Sequence, residues 1–164
     1  MVARFERCRF DRALLDDWSA GSAEFVECHF AGRLVQVKFS GEPAGPAGRL
    51  LAPFRRTNEF RGNDFSEAEL IDCRVSGGFA IEQQSWPARP GYIVLDRLQD
   101  RIGRARHAVL TQWSEGLDRE RALNLLDVYS TFDYAKQQGL VVHRGDVDDY
   151  GPWAERLWTL LEGS

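Results

Sequence analysis

Bulky apolar residues recur at every fifth position through much of the first half of the chain. Phe60, Phe65, Leu70 and Val75 keep one phase. Phe5, Phe10 and Leu15 share it, as do Phe25, Phe30 and Val35, and Leu50 falls in the same series. Positions 20 and 40 hold Ala and Ser, where the phase weakens. Two residues before the bulky positions stand small ones: Ala3, Cys8, Ala13, Ala23, Cys28, Asn58, Asn63, Ala68 and Cys73. A period of five belongs neither to a helix nor to a strand. It predicts a repeat in which the chain turns a corner every five residues, making a four-sided coil of about twenty residues whose turns stack at strand spacing, roughly 4.8 Å. The large residue of each unit then points inward and the small one lies inward near a corner. The charged residues of FERCRF, FVECHF and FSEAEL face solvent.

Two stretches break the pattern. SGEPAGPAGRLLAP, residues 40–53, lacks it and carries Pro43, Pro46 and Pro53, which have no amide to donate; it reads as a loop inserted into the repeat. Trp18 stands at a small-residue position, so the coil is expected to open near DDWSAGS. After Val75 the phase dissolves into a Gly- and Pro-rich stretch, and residues 81–92 read as a linker. Helical spacing follows over 93–113, with Leu95, Leu98, Ile102, Ala105, Val109 and Trp113 on one stripe. A second helix is predicted from Asp118 to Gln138, with Leu123, Leu125, Leu126, Tyr129 and Phe132 as its apolar residues and Gly139 as its stop. A short strand is predicted at 140–143. A last helix opens at Pro152, with Trp153, Leu157, Trp158 and Leu161 inward.

The stretch NDFSE AELID CRV, with FERCRFDRALL and AEFVECHF close behind, resembles the pentapeptide-repeat proteins. The resemblance covers about residues 3–80 and is interrupted at 40–53. It implies a mainly β plus α chain: a short right-handed quadrilateral β-helix, or pentapeptide-repeat solenoid, over residues 1–80, with an α-helical region over 93–164 packed on it as a cap.

Composition adds limits. The 164 residues are 43% hydrophobic, enough for a folded core, and the net charge of −4 is too mild for a nucleic-acid binder. Residues 1–80 hold 11 basic and 12 acidic residues, and 81–164 hold 10 and 13, so neither half carries the dense negative stripe of a DNA mimic. No apolar run approaches the length of a membrane span, and MVARFERCRF lacks the apolar core of a secretory signal. Three cysteines, an odd set with no CxxC, fit a reducing cytoplasm.

Chemistry is sparse. Phosphate-binding glycine loops, GxSxG and HExxH are absent, and His29, His107 and His143 lie far apart. No catalytic residue and no cofactor is therefore predicted. Cys8 and Cys28 lie one coil apart and read either as a thiol pair or as small apolar fillers. His143, Asp146, Asp148 and Asp149 are the metal-ligand candidates, with a solvated turn as the other reading. Arg55, Arg56 and Arg61, beside Phe54 and Phe60, form a candidate patch for an acidic partner surface, and Trp86 is a candidate anchor at an interface. These features read as a non-enzymatic module for protein–protein interaction, and the resemblance implies a bacterial one, with an immunity or antitoxin-like protein masking a toxin or other enzyme as the first reading. The resemblance also implies a topoisomerase-protecting DNA mimic as the alternative. A small-ligand or catalytic module in the helical region is the second alternative, marked by a pocket between Trp86, the 93–113 helix and His143. Direct nucleic-acid and membrane binding are not expected. Exposed coil ends offer a homodimer contact.

Overall fold

The computed structural model describes residues 3–51, 53–131, 134–143 and 151–163. Among the described residues, the repeat half contains nine short strands. β1 (Ala3–Glu6), β2 (Arg9–Asp16) and β3 (Ser19–Ala20) are followed by β4 (Ala23–Val26), β5 (His29–Val35) and β6 (Lys38–Ser40). After an insert come β7 (Phe60–Arg61), β8 (Asp64–Ile71) and β9 (Arg74–Ser76). They pair in parallel as three separate three-stranded sheets, β1-β4-β7, β2-β5-β8 and β3-β6-β9.

This corrects the expected quadrilateral β-helix. The sheets do not join into a closed or continuous four-sided wall, and with four α-helices among the described residues the chain is mixed α/β. One physical reason lies in β2, β5 and β8. Each runs unbroken past the length of one expected five-residue side and into the next, and the ladder shifts register between Asp11 and Ala13 where a corner is expected. Arg12 absorbs that irregularity with φ 52° and has no register partner on β5, where Gly32, with φ 140°, pairs with Ala13. At Gly32 a side chain is barred by space as well as by backbone, because a Cβ would sit 2.3 Å from the Ala13 carbonyl oxygen.

The same irregularity removes one residue from the second set of strands. Leu15 pairs with Leu34, and Asp16 with Val35. Leu34 and Phe39 are therefore buried where the five-residue phase points to Val35 and position 40, and Val35 is only half-buried. The inward assignment of Val35 is thus corrected to Leu34.

The sheets face one another around a shared aromatic core. Phe5, Phe25 and Phe60 stack with centroids 4.9 and 5.6 Å apart, and Phe10, Phe30 and Phe65 with centroids 4.8 and 4.5 Å apart. Phe39, from the third sheet, closes on both columns edge-on. Leu70 and Val75 are buried with them, while Leu15 is half-buried at the β1–β3 end. Trp18 is accommodated without opening the strands, because it lies half-buried at that same end, edge-to-face with Phe25 at a centroid distance of 5.7 Å.

The insert folds as a short helix, α1 (Gly45–Leu51), where a loop is expected, and it leaves Leu50 out in solvent. Residues 81–92, read as a linker, continue the core instead. Phe79 packs on Phe60 at 4.6 Å and Trp86 lies parallel to Phe65 at 4.9 Å, so the two columns end on these rings. A 3₁₀ turn at Ile81–Gln83 and a bridge between Asp64 and Ser85 hold this segment in place.

The start of the predicted 93–113 helix is a strand, β10 (Tyr92–Leu95), antiparallel to β11 (Leu140–His143), and the helix α2 runs Leu98–Gln112. α3 (Leu117–Ser130) is shorter than predicted, and Phe132 lies outside the described residues. α4 (Pro152–Glu162) starts on its proline. Leu98, Ile102, Ala105 and Val109 of α2 meet Leu126, Leu157, Trp158 and Leu161 in a second core. Gln137, fully buried, joins the two cores: its side chain accepts from the Phe79 amide and donates to the Phe79 carbonyl.

Candidate functional site

The outer face of the β1-β4-β7 sheet carries a ladder of ion pairs. Arg4 reaches Glu59 at 2.7 Å and Glu24 at 3.3 Å. Arg61 reaches Glu27 at 2.9 Å and Glu59 at 3.2 Å. Arg55 bonds Glu24 at 3.1 Å and the Ser22 carbonyl at 2.7 Å. Parallel pairing at fixed register sets these outward residues side by side, which the one-dimensional pattern does not display. Arg55 and Arg61, read as partner-binding candidates, thus spend their charge within the chain.

Arg56 is exposed, and it lies near a different feature. Leu50 and Phe54 are 77% and 87% exposed at the end of α1, flanked by the exposed Arg49 and Arg56. Neither of these two arginines makes an ion pair among the described residues. The insert therefore presents two large apolar side chains and two uncommitted cations.

On the outer face of β2-β5-β8, His29 sits among three carboxylates. Its Nδ1 lies 3.2 Å from Asp64, and its Nε2 3.5 Å from Glu67 and 3.9 Å from Asp11. No group among the described residues is arranged to hold a metal ion. His143 packs against the Tyr92 ring at 4.8 Å. The other metal-ligand candidates, Asp146, Asp148 and Asp149, lie outside the described residues.

Trp86 is half-buried and donates from Nε1 to the Ile81 carbonyl at 2.8 Å. It borders a cleft of about 480 Å³ lined also by Ile81, Glu82, Val94, Asp96 and Arg97. His143 is not part of this cleft. The cysteines act as small fillers: the thiols of Cys8 and Cys28 each donate to the carbonyl two residues earlier, and Cys73 donates to the Leu34 carbonyl. Burial pushes the Cys28 thiol up from its ordinary range, away from thiolate reactivity.

Several carboxyls are held below their usual range, each chiefly by hydrogen bonds: Asp11 from Arg9, Glu59 from Arg4 and Arg61, Asp64 from Ser66, and Asp96 from Arg101. A carboxyl lowered in the folded state stabilises it above the unfolded pKa, and that contribution disappears as pH falls through the folded value. The melting temperature is therefore expected to fall as pH drops from about 5 to about 3. A melting curve that stays flat across that window would count against these pairs.

No family model matches the chain, and comparison with curated proteins and with solved structures also returns no match. No helix among the described residues is long and apolar enough to cross a membrane.

Proposed function

We propose that the chain is a non-enzymatic module for protein–protein interaction that masks a partner enzyme, in the manner of an immunity or antitoxin-like protein. The observation that carries this reading is the exposed Leu50–Phe54 pair with Arg49 and Arg56 beside it. Large apolar side chains this exposed gain free energy only when something covers them, and arginine beside an aromatic is a recurrent interface anchor. The complementary surface is an apolar pocket rimmed by carboxylates on a folded protein. The three cysteines, an odd set with no CxxC, fit a reducing cytoplasm.

The test is reconstitution with a purified, stoichiometric partner. Leu50→Asp/Phe54→Asp should weaken the complex on the order of 100-fold, with the melting temperature little changed because both side chains are already in water. Unchanged affinity would overturn the reading. A second reading, a small-ligand role, rests on the cleft beside Trp86, which pairs an aromatic ring with Glu82 and Asp96. Thermal stabilisation of the isolated chain by nucleotides or metal ions would favour it over partner masking.

A further inference from the structure

Among the described residues, the first three strands leave three sheet edges unpaired at one end of the aromatic core. β1, β2 and β3 are each the outermost strand of their sheet. Phe5, Phe10, Leu15 and Trp18 are half-buried there, whereas Phe25, Phe30 and Leu34 in the next strands are fully buried. Open strand edges over partly exposed apolar side chains recruit further strands.

Hydrogen-bond polarity states which residues are available. The His29 amide bonds the Cys8 carbonyl, and the Asp17 amide bonds the Val35 carbonyl. A residue in a strand turns its amide and carbonyl the same way, and the next residue turns them the opposite way. Arg9, Asp11, Leu14 and Asp16 therefore direct theirs to the open edge of β2, with the irregularity at Arg12 between the two pairs. By the same logic the Arg7–Val26 bond leaves Glu6 of β1 facing outward, and the Lys38–Trp18 bond leaves Ser19 of β3 facing outward.

We propose that this end pairs with a second copy of the chain about a two-fold axis. The strands run antiparallel, in the register that sets Arg9 opposite Asp16 of the other copy. Every outward-facing group on β2 then meets another: Arg9 meets Asp16 and Asp11 meets Leu14, each pair able to exchange both backbone hydrogen bonds. Phe10 lies opposite Leu15 on the apolar side. β1 meets β3, with Glu6 opposite Ser19 and the large Phe5 opposite the small Ala20. Two-fold symmetry makes the Arg9–Asp16 pair twice, so the surface is self-complementary, as a closed dimer requires. Sliding two residues one way brings Asp11 against Asp16. Sliding the other way leaves Arg9 against Leu14 and takes Phe10 off Leu15. The charge and apolar patterns therefore favour one register and one occupant.

The experiment is light scattering during gel filtration of the full chain, with circular dichroism to confirm folding of each variant. The wild type should elute at twice the chain mass at micromolar concentration. Arg9 also bonds Asp11 of its own strand at 3.1 Å, so Arg9→Glu breaks that intrachain pair as well and should weaken the dimer about tenfold or more by setting like charges together twice. Asp16→Arg should do the same from the other side, and Arg9→Glu/Asp16→Arg should restore it. A wild-type monomer overturns the proposal, as does a dimer indifferent to both single changes. Failure of the double variant to recover overturns the register.

Discussion

Phe30→Ala should lower the stability of the chain by about 4 kcal/mol and its melting temperature by roughly 10 °C. Phe30 is fully buried and lies parallel between Phe10 and Phe65, with Phe25 and Phe39 closing on its flanks. Three sheets lean on that one ring. Truncation removes the transfer free energy of the ring and leaves a hole that the surrounding strands cannot fill, because their spacing is set by backbone hydrogen bonds. Of a total near 5–15 kcal/mol, such a loss leaves the fold marginal. The paired control is Phe54→Ala, which removes an identical ring from an 87% exposed position and should cost no more than about 0.5 kcal/mol. Urea denaturation of the two variants measures the contrast, and similar losses would deny the aromatic column its role.

Asn63→Ala should cost about 3 kcal/mol, although it removes only a small polar side chain. Asn63 is fully buried. Its Oδ1 accepts from the Cys28 amide at 3.0 Å, and its Nδ2 donates to the Phe25 carbonyl at 2.9 Å and to Gln84 at 2.8 Å. Deleting the amide strands a backbone donor and a backbone acceptor away from water, and each such orphan costs about 1–3 kcal/mol. Asn58 does similar work near the insert, donating to the carbonyls of Gly21 and Ser40. Asn63→Cys would place at this position the residue found at the matching place in the two preceding turns, Cys8 and Cys28. It restores some bulk but gives the Cys28 amide no comparable acceptor, so it should recover only part of the loss. Equal stability of Asn63→Cys and wild type would show that volume, not hydrogen bonding, matters there.

These two residues also show how far the linear pattern reaches. Phe30 is legible because a five-residue period in side-chain size is a strong signal of what faces inward. Asn63 is legible only as small; its hydrogen bonds need Phe25, Cys28 and Gln84, which lie far from it in sequence. Val35 fails for a local reason: one residue is missing from the second set of strands, and the phase jumps to Leu34 at Gly32. The ladder of Arg4, Glu24, Glu59 and Arg61 is invisible before register is known. Arg55 and Arg61 look like part of a binding patch in isolation and are neutralised once their neighbours are in place. The apolar residues of the insert read the other way, since Leu50 fits the inward series but stands in solvent.

By itself the sequence determined the inward series of Phe5, Phe10, Phe25, Phe30, Phe60 and Phe65, the insert, and the helical character of much of the second half, because side-chain size and periodicity act locally. Tertiary structure alone decided that the strands form three separate sheets and that Phe79 and Trp86 finish the aromatic columns. It also decided that Gln137 ties the second core to the first and that Leu50 and Phe54 are left uncovered. Those outcomes depend on which distant segments meet, and a single bulge or missing residue changes every pairing that follows it.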